Sequence, residues 1–205
     1  MKLQLFFLHS ILLPLLKAAK IGLIKVFFAD GVHLTYGYQG GYSWSKKRQT
    51  VPSAYGRKRA NLLGFMDSVT YETIKEMDID KKYLNADSVC NGLKKLREKF
   101  PEEVLYVIMD NAAYQRCKKV AQAAEELKIN LVFLPPYSPN LNLIERLWKF
   151  LRKHILANQF YHSFKEFFDA IAHFVDTLHT SHSKQLSSLM TFHFEVLNSP
   201  LDNQY

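Results

Sequence analysis

Cysteine is scarce in this chain: its 205 residues hold two, Cys90 and Cys117, far apart and in no metal-ligand spacing. A disulfide framework and a cysteine zinc site are thereby excluded, and two reduced thiols of a cytosolic protein remain. Internal repeats and low-complexity linkers are also missing, so the length supports one sizeable α/β domain or at most two small ones. Acid is the scarcer charge, 19 residues against 27 Lys and Arg, for a net +8 and a pI near 9.3. Such a balance favours an anionic partner, with nucleic acid the first candidate. After Lys2 and the apolar run Leu3 to Leu16, Lys17-Ala18-Ala19-Lys20 lacks small residues at both of the positions that determine signal-peptide cleavage, so secretion is a minor alternative. His9 and Pro14 interrupt that run, which is expected to be too short to span a bilayer comfortably and to form a buried helix, or one that packs on a further domain. What is plentiful is apolar: 48% hydrophobic and 14% aromatic residues fit a folded globular chain.

The most informative stretch is Leu131 to Ile155. Leu131-Val132-Phe133-Leu134 reads as a strand covered on both faces. Pro135-Pro136-Tyr137-Ser138-Pro139 then stops it, because proline lacks an amide proton and fixes φ. A helix follows, with Asn140 or Asn142 as its expected cap and Leu141, Ile144, Leu147, Trp148, Leu151 and Ile155 as its apolar stripe. Glu145 falls in its first turn, so a rigid turn delivers one carboxylate to a fixed place.

Upstream, Ile24 to Ala29 predicts a strand with Asp30 at its carboxyl end, and Gly31, Gly37, Gly40 and Gly41 mark turns. Tyr42-Ser43-Trp44 suggests a second, short strand. Asn61 to Met66 suggests a third, extended by a hairpin into Tyr71-Glu72-Thr73-Ile74. Ala86 to Phe100 has helical spacing, and Val104 to Met109 is the clearest buried strand, ended by Asp110-Asn111. Helices are expected at about 114–127 and 163–178, and beyond His179 the pattern weakens into a polar tail. Segments 1–22 (helical), 23–180 (the α/β domain) and 181–205 (tail) follow from this reading. Hairpins first and right-handed crossovers later give a ribonuclease H-like fold, a mixed five-stranded sheet with helices on both faces. Ligands of such sheets gather at the carboxyl ends of strands, where Asp30 and Asp110 are expected.

Phosphodiester chemistry uses hard divalent ions held by oxygen ligands, and Asp30, Asp110 and Glu145 offer three carboxylates for that purpose. Singly, each has a plainer reading. An Asp after a strand is usually a turn former or helix cap, and Glu145 suits the positive end of its own helix. Their joint placement at strand ends and a helix start favours the site. Asp67, Asp78, Asp80, Asp87, Glu102 and Glu103 read as solvated turn or helix-end acids.

Three blocks carry a resemblance: Phe28-Ala29-Asp30-Gly31-Val32-His33, Met109-Asp110-Asn111-Ala112-Ala113-Tyr114, and the long run from Leu134 through Pro135-Pro136-Tyr137-Ser138-Pro139-Asn140-Leu141-Asn142-Leu143-Ile144-Glu145 to Trp148. With 34 residues between Asp110 and Glu145, the chain resembles the catalytic domain of mariner-like DDE transposases, in the branch carried by bacterial insertion sequences. The resemblance covers about 24–174. It implies that Asp30, Asp110 and Glu145 are the catalytic and metal-binding triad, holding two Mg²⁺ or Mn²⁺ ions. It further implies cleavage at transposon ends, strand transfer into target DNA, a homodimer on DNA, and a cytoplasmic location without a membrane.

His33, Asn111 and Asn142 are possible accessory residues, and for His33 a structural role is an equal alternative. Lys46, Lys47, Arg48, Arg57, Lys58, Arg59, Arg146, Lys149, Arg152 and Lys153 are candidate DNA contacts, with plain solvated faces as the alternative. Trp44 and Trp148 read as packing residues. Gln115 stands where relatives often carry His, and Gln cannot take a proton near neutral pH. The paired helix-turn-helix domains of the family are missing, which suggests a separately encoded N-terminal half or a truncated copy. A catalytically silent fragment that binds DNA or modulates an intact transposase is therefore one alternative, and a plain nuclease another.

Overall fold

Residues 2–37, 46 and 58–195 are described by the computed structural model. Five runs rich in Val, Ile, Leu and Phe make β1 (Lys25–Thr35), β2 (Arg59–Asp67), β3 (Thr73–Met77), β4 (Leu105–Met109) and β5 (Ile129–Phe133), one sheet in the order β3-β2-β1-β4-β5. β1, β2 and β3 pair antiparallel, whereas β4 joins β1, and β5 joins β4, in parallel. The expected strand at Tyr42-Ser43-Trp44 lies outside the described residues, as do Lys47, Arg48 and Arg57.

Side-chain alternation along β1 divides the core. Val26, Phe28, Val32 and Leu34 face one hydrophobic cluster, and Phe27 and Ala29 face the other. On the second side lie α3 (Ala86–Lys99) and α4 (Lys118–Glu126). Asn85 starts α3 with a capping box, its side chain accepting from the Ser88 amide. The first side is covered by α5 (Ile144–Ile155), α6 (Phe164–Ser181) and α7 (Ser183–Leu189), the last of which lies in the segment read as a polar tail.

The same side receives the N-terminal helix. α1 (Lys2–Phe7), a π-helical stretch (Leu8–Leu12) and α2 (Leu13–Lys20) run on as 19 residues. Pro14 withdraws an amide donor early in α2, and the wider π turn just before it lets the helix continue. By length and composition alone the whole helix, Lys2–Lys20, is long and apolar enough to cross a membrane, and the run Leu3 to Leu16 is only part of it. In this structure Phe7, Leu8, Leu12 and Leu16 are instead buried in the core, with Leu3 and Phe6 exposed. Gln4 donates from this helix to the Tyr137 carbonyl (3.2 Å), and its Oε1 accepts from Asn140 (3.3 Å). Two hydrogen bonds thus brace the proline-rich turn that leads to Glu145.

Candidate active site

Asp30 does not end its strand. β1 runs on to Thr35, because β2 continues to pair with it through Gly31↔Leu63 and beyond. What ends near Asp30 is the parallel partnership with β4, whose last pair is Ala29↔Met109. Asp30 and Asp110 are therefore the next residues on neighbouring parallel strands, with the same facing. That face is the one α5 covers. A 3₁₀ turn, Pro139–Leu141, leads into α5 and places Glu145 in its first turn.

The expected cap of α5 is not formed. Its N-cap position is Leu143, without a side-chain hydrogen bond. Asn142 instead donates to the Ala29 carbonyl (3.4 Å), and its own carbonyl accepts from the Glu145 amide (3.2 Å). One buried residue therefore links the backbone beside Asp30 to the turn that carries Glu145. Asn111 donates to the Leu134 carbonyl, fastening the segment after Asp110 to the end of β5.

Electrostatics tie the three acids together. Burial, then the charges of Asp110 and Glu145, push the Asp30 carboxyl up to about 7. A Gly31 backbone hydrogen bond and the Trp148 indole pull the other way. Glu145 is raised by burial and by Asp110, against the lowering influence of Arg152 and Lys149. Asp110 is raised by burial although it keeps contact with solvent. Beneath the site, the Tyr114 hydroxyl lies 3.5 Å from where a Cβ on Gly31 would stand, and burial followed by Asp30 raises its pKa. Among the described residues, no three His, Cys, Asp or Glu side chains are gathered closely enough to enclose a metal ion. The acids share a field without forming a closed cage.

Other expected site residues are dispersed. His33 is three residues from Asp30 on a strand, so it points to the opposite face; it is exposed and hydrogen-bonds Asn61 (2.6 Å). With Lys58, Arg59, Lys81, Lys82 and Lys165 it lines a separate basic cleft. Lys58 also lies over the Phe164 ring at 5.6 Å, and Lys46 is exposed. Arg146 is held by the chain's own backbone: its guanidinium donates to the carbonyls of Leu189 (3.1 Å), Thr191 (2.7 Å) and His193 (2.7 Å). Lys149, Arg152 and Lys153 stay exposed on α5.

Trp148 and Tyr114 were not expected at the site. Trp148 had a visible signal, since it lies one helical turn from Glu145. Its indole Nε1 donates to Asp30 Oδ2 (3.1 Å) while the ring fills the core. Gln115 is buried and donates weakly to the Tyr114 hydroxyl (3.4 Å).

Comparison with known proteins matches this fold. The chain is similar to Mos1 mariner transposase in its Mn-containing paired-end complex, with 20% identity and a TM-score of 0.59 over 86% of this chain and 57% of that one. It is similar to the isolated Mos1 catalytic domain, at 18% identity and a TM-score of 0.54 over 94% of this chain and 96% of that domain. The Mos1 strand transfer complex gives 21% identity and a TM-score of 0.54 over 89% and 60%. The chain thus spans less than two thirds of the Mos1 chains in those complexes, and its sheet has the expected ribonuclease H-like fold. An uncharacterised protein of Sinorhizobium fredii, y4pE/y4sA, is 44% identical over 45 residues, 22% of this chain and 31% of that protein. The family model for DDE superfamily endonucleases matches residues 25–168, more than half of the chain and inclusive of Asp30, Asp110 and Glu145, so the chain belongs to that family.

Proposed function

We propose that this chain is the catalytic part of a DDE transposase, cutting DNA at transposon ends and joining the freed end to target DNA. The observation that carries the reading is the register of β1 and β4, which sets Asp30 beside Asp110 on the sheet face where Glu145 begins α5. The donor set fits divalent metal: three carboxylates, all oxygen, whose burial and mutual repulsion a cation would relieve. Asp30, Asp110 and Glu145 would hold two Mg²⁺ or Mn²⁺ ions. Bound there, the ions would activate the attacking oxygen and steady the leaving one. Mos1 complexes that contain Mn or represent strand transfer support this reading for the present chain.

The chain's own side chains do the remaining work. Asn142 fixes the backbone beside Asp30 relative to Glu145. Lys149 and Arg152, near enough to Glu145 to lower its pKa, neutralise phosphates that enter the site. Lys153 continues that exposed basic face, and Lys46, Lys58 and Arg59 belong to a second one. The working unit is a homodimer on its DNA ends, in the cytoplasm. Asn111 acts by holding the segment after Asp110 rather than by touching DNA.

A joining assay tests this directly. With Mg²⁺ or Mn²⁺ and a pre-cut transposon end, the chain is expected to join that end to target DNA, and Asp110→Asn to abolish joining. DNA binding without cutting or joining under either metal supports a silent fragment. Cleavage of an RNA–DNA hybrid without joining supports a plain nuclease.

A further inference from the structure

We infer that Trp148 is a positioning residue for Asp30, and that position 64 is glycine so that the indole can reach it. The inference rests on the reading of Asp30 as a metal-holding carboxylate. Three independent features converge on the pair. Trp148 is 1% exposed and among the largest wholly buried side chains, yet its single polar atom meets Asp30 Oδ2 at 3.1 Å. Gly64 is the cross-strand partner of Asp30 in the β1–β2 ladder. A Cβ at Gly64 would stand 2.5 Å from Trp148 Cη2, 3.0 Å from Cζ2 and 3.2 Å from Ile144 Cδ1. The two closest atoms belong to a buried, rigid ring that has no flexible end to swing aside.

Packing alone would be satisfied by an apolar side chain. An indole N–H can only donate, so it holds Oδ2 as an acceptor and fixes the rotation of the carboxylate, leaving Oδ1 free of this contact. Glu145 lies one turn earlier on the same helix. α5 therefore brings one acid itself and clasps a second on β1, so the spacing between the two is set by one rigid element. Outer hydrogen bonds of this kind orient carboxylates that ligate metal, and removing them typically costs ten- to hundredfold in metal affinity.

Mn²⁺ binding to the full chain, followed by the paramagnetic resonance of free Mn²⁺, tests the inference, with thermal melting to check folding. Trp148→Phe is expected to weaken Mn²⁺ binding by about ten- to hundredfold. Gly64→Ala is expected to weaken it in the same direction with Trp148 present, and to add little on top of Trp148→Phe. If Trp148→Phe does not fold, β-(3-benzothienyl)alanine at 148 keeps the bicyclic volume and replaces the N–H with sulfur; the same loss is expected. Asp30→Asn separates the two layers. Wild-type affinity in the residue-148 variants, with affinity lost in Asp30→Asn, overturns the positioning role alone. Wild-type affinity in Asp30→Asn removes the metal reading, and the positioning role falls with it.

Discussion

Asp30 is the residue where stability and chemistry pull in opposite directions. Its folded pKa, about 7, exceeds the ordinary aspartate value near 4, so between those values the folded state binds more protons than the unfolded chain. Stability from this group is fully present below about pH 4 and is lost as pH rises through about 7. In chelator-treated protein, Asp30→Asn is therefore expected to raise the melting temperature more at pH 8 than at pH 5. An equal shift at both values would contradict the electrostatic reading. Trp148 illustrates why the residue scale is the hardest to read from sequence. Its spacing identifies it as a core residue, and it is one, but nothing linear reveals that its N–H meets an acid on β1. His33 is the reverse case. It stands three residues from Asp30 in sequence, and strand alternation sends it to the other face.

At the scale of elements, α5 was legible almost in full. Of the stripe expected along it, Ile144, Leu147, Trp148, Leu151 and Ile155 are buried on α5, and Leu141 is buried in the 3₁₀ turn before it. The helical period alone carried that information. Leu147→Ala is accordingly expected to destabilise the chain by about 2–5 kcal/mol in urea unfolding, through lost burial and a cavity. A loss near zero would mean that this face is not packed. β1 was less legible, because Gly31 reads as a turn; only the continued ladder with β2 reveals a strand through to Thr35. Asp67, expected to be solvated, is buried because it accepts the Val69 and Thr70 amides in its own turn. The backbone partners of Arg146 at Leu189, Thr191 and His193 have no signal in the sequence. Substitution of Arg146 by Ala is expected to speed hydrogen exchange and proteolysis around 189–193 while Mn²⁺ affinity stays as in wild type.

Across the whole molecule, the layered fold was foreseeable from element order, while the joint use of Asp30, Asp110 and Glu145 as one metal site is the proposal that experiment must test. The described side chains share a field without enclosing an ion. Net charge of +8 describes the whole chain, but the faces that use it are local. Replacing Lys149 and Arg152 by Ala is expected to lower the slope of DNA affinity against salt by about 1 for each phosphate contact removed. An unchanged slope would place the DNA elsewhere, with the basic cleft around Lys58 and Arg59 as the next surface to test. The most direct measurement of the central claim is anomalous diffraction from crystals of the chain soaked in Mn²⁺. Anomalous peaks bounded by Asp30, Asp110 and Glu145 are the predicted result; peaks confined to other acids, or none at this site, would contradict it.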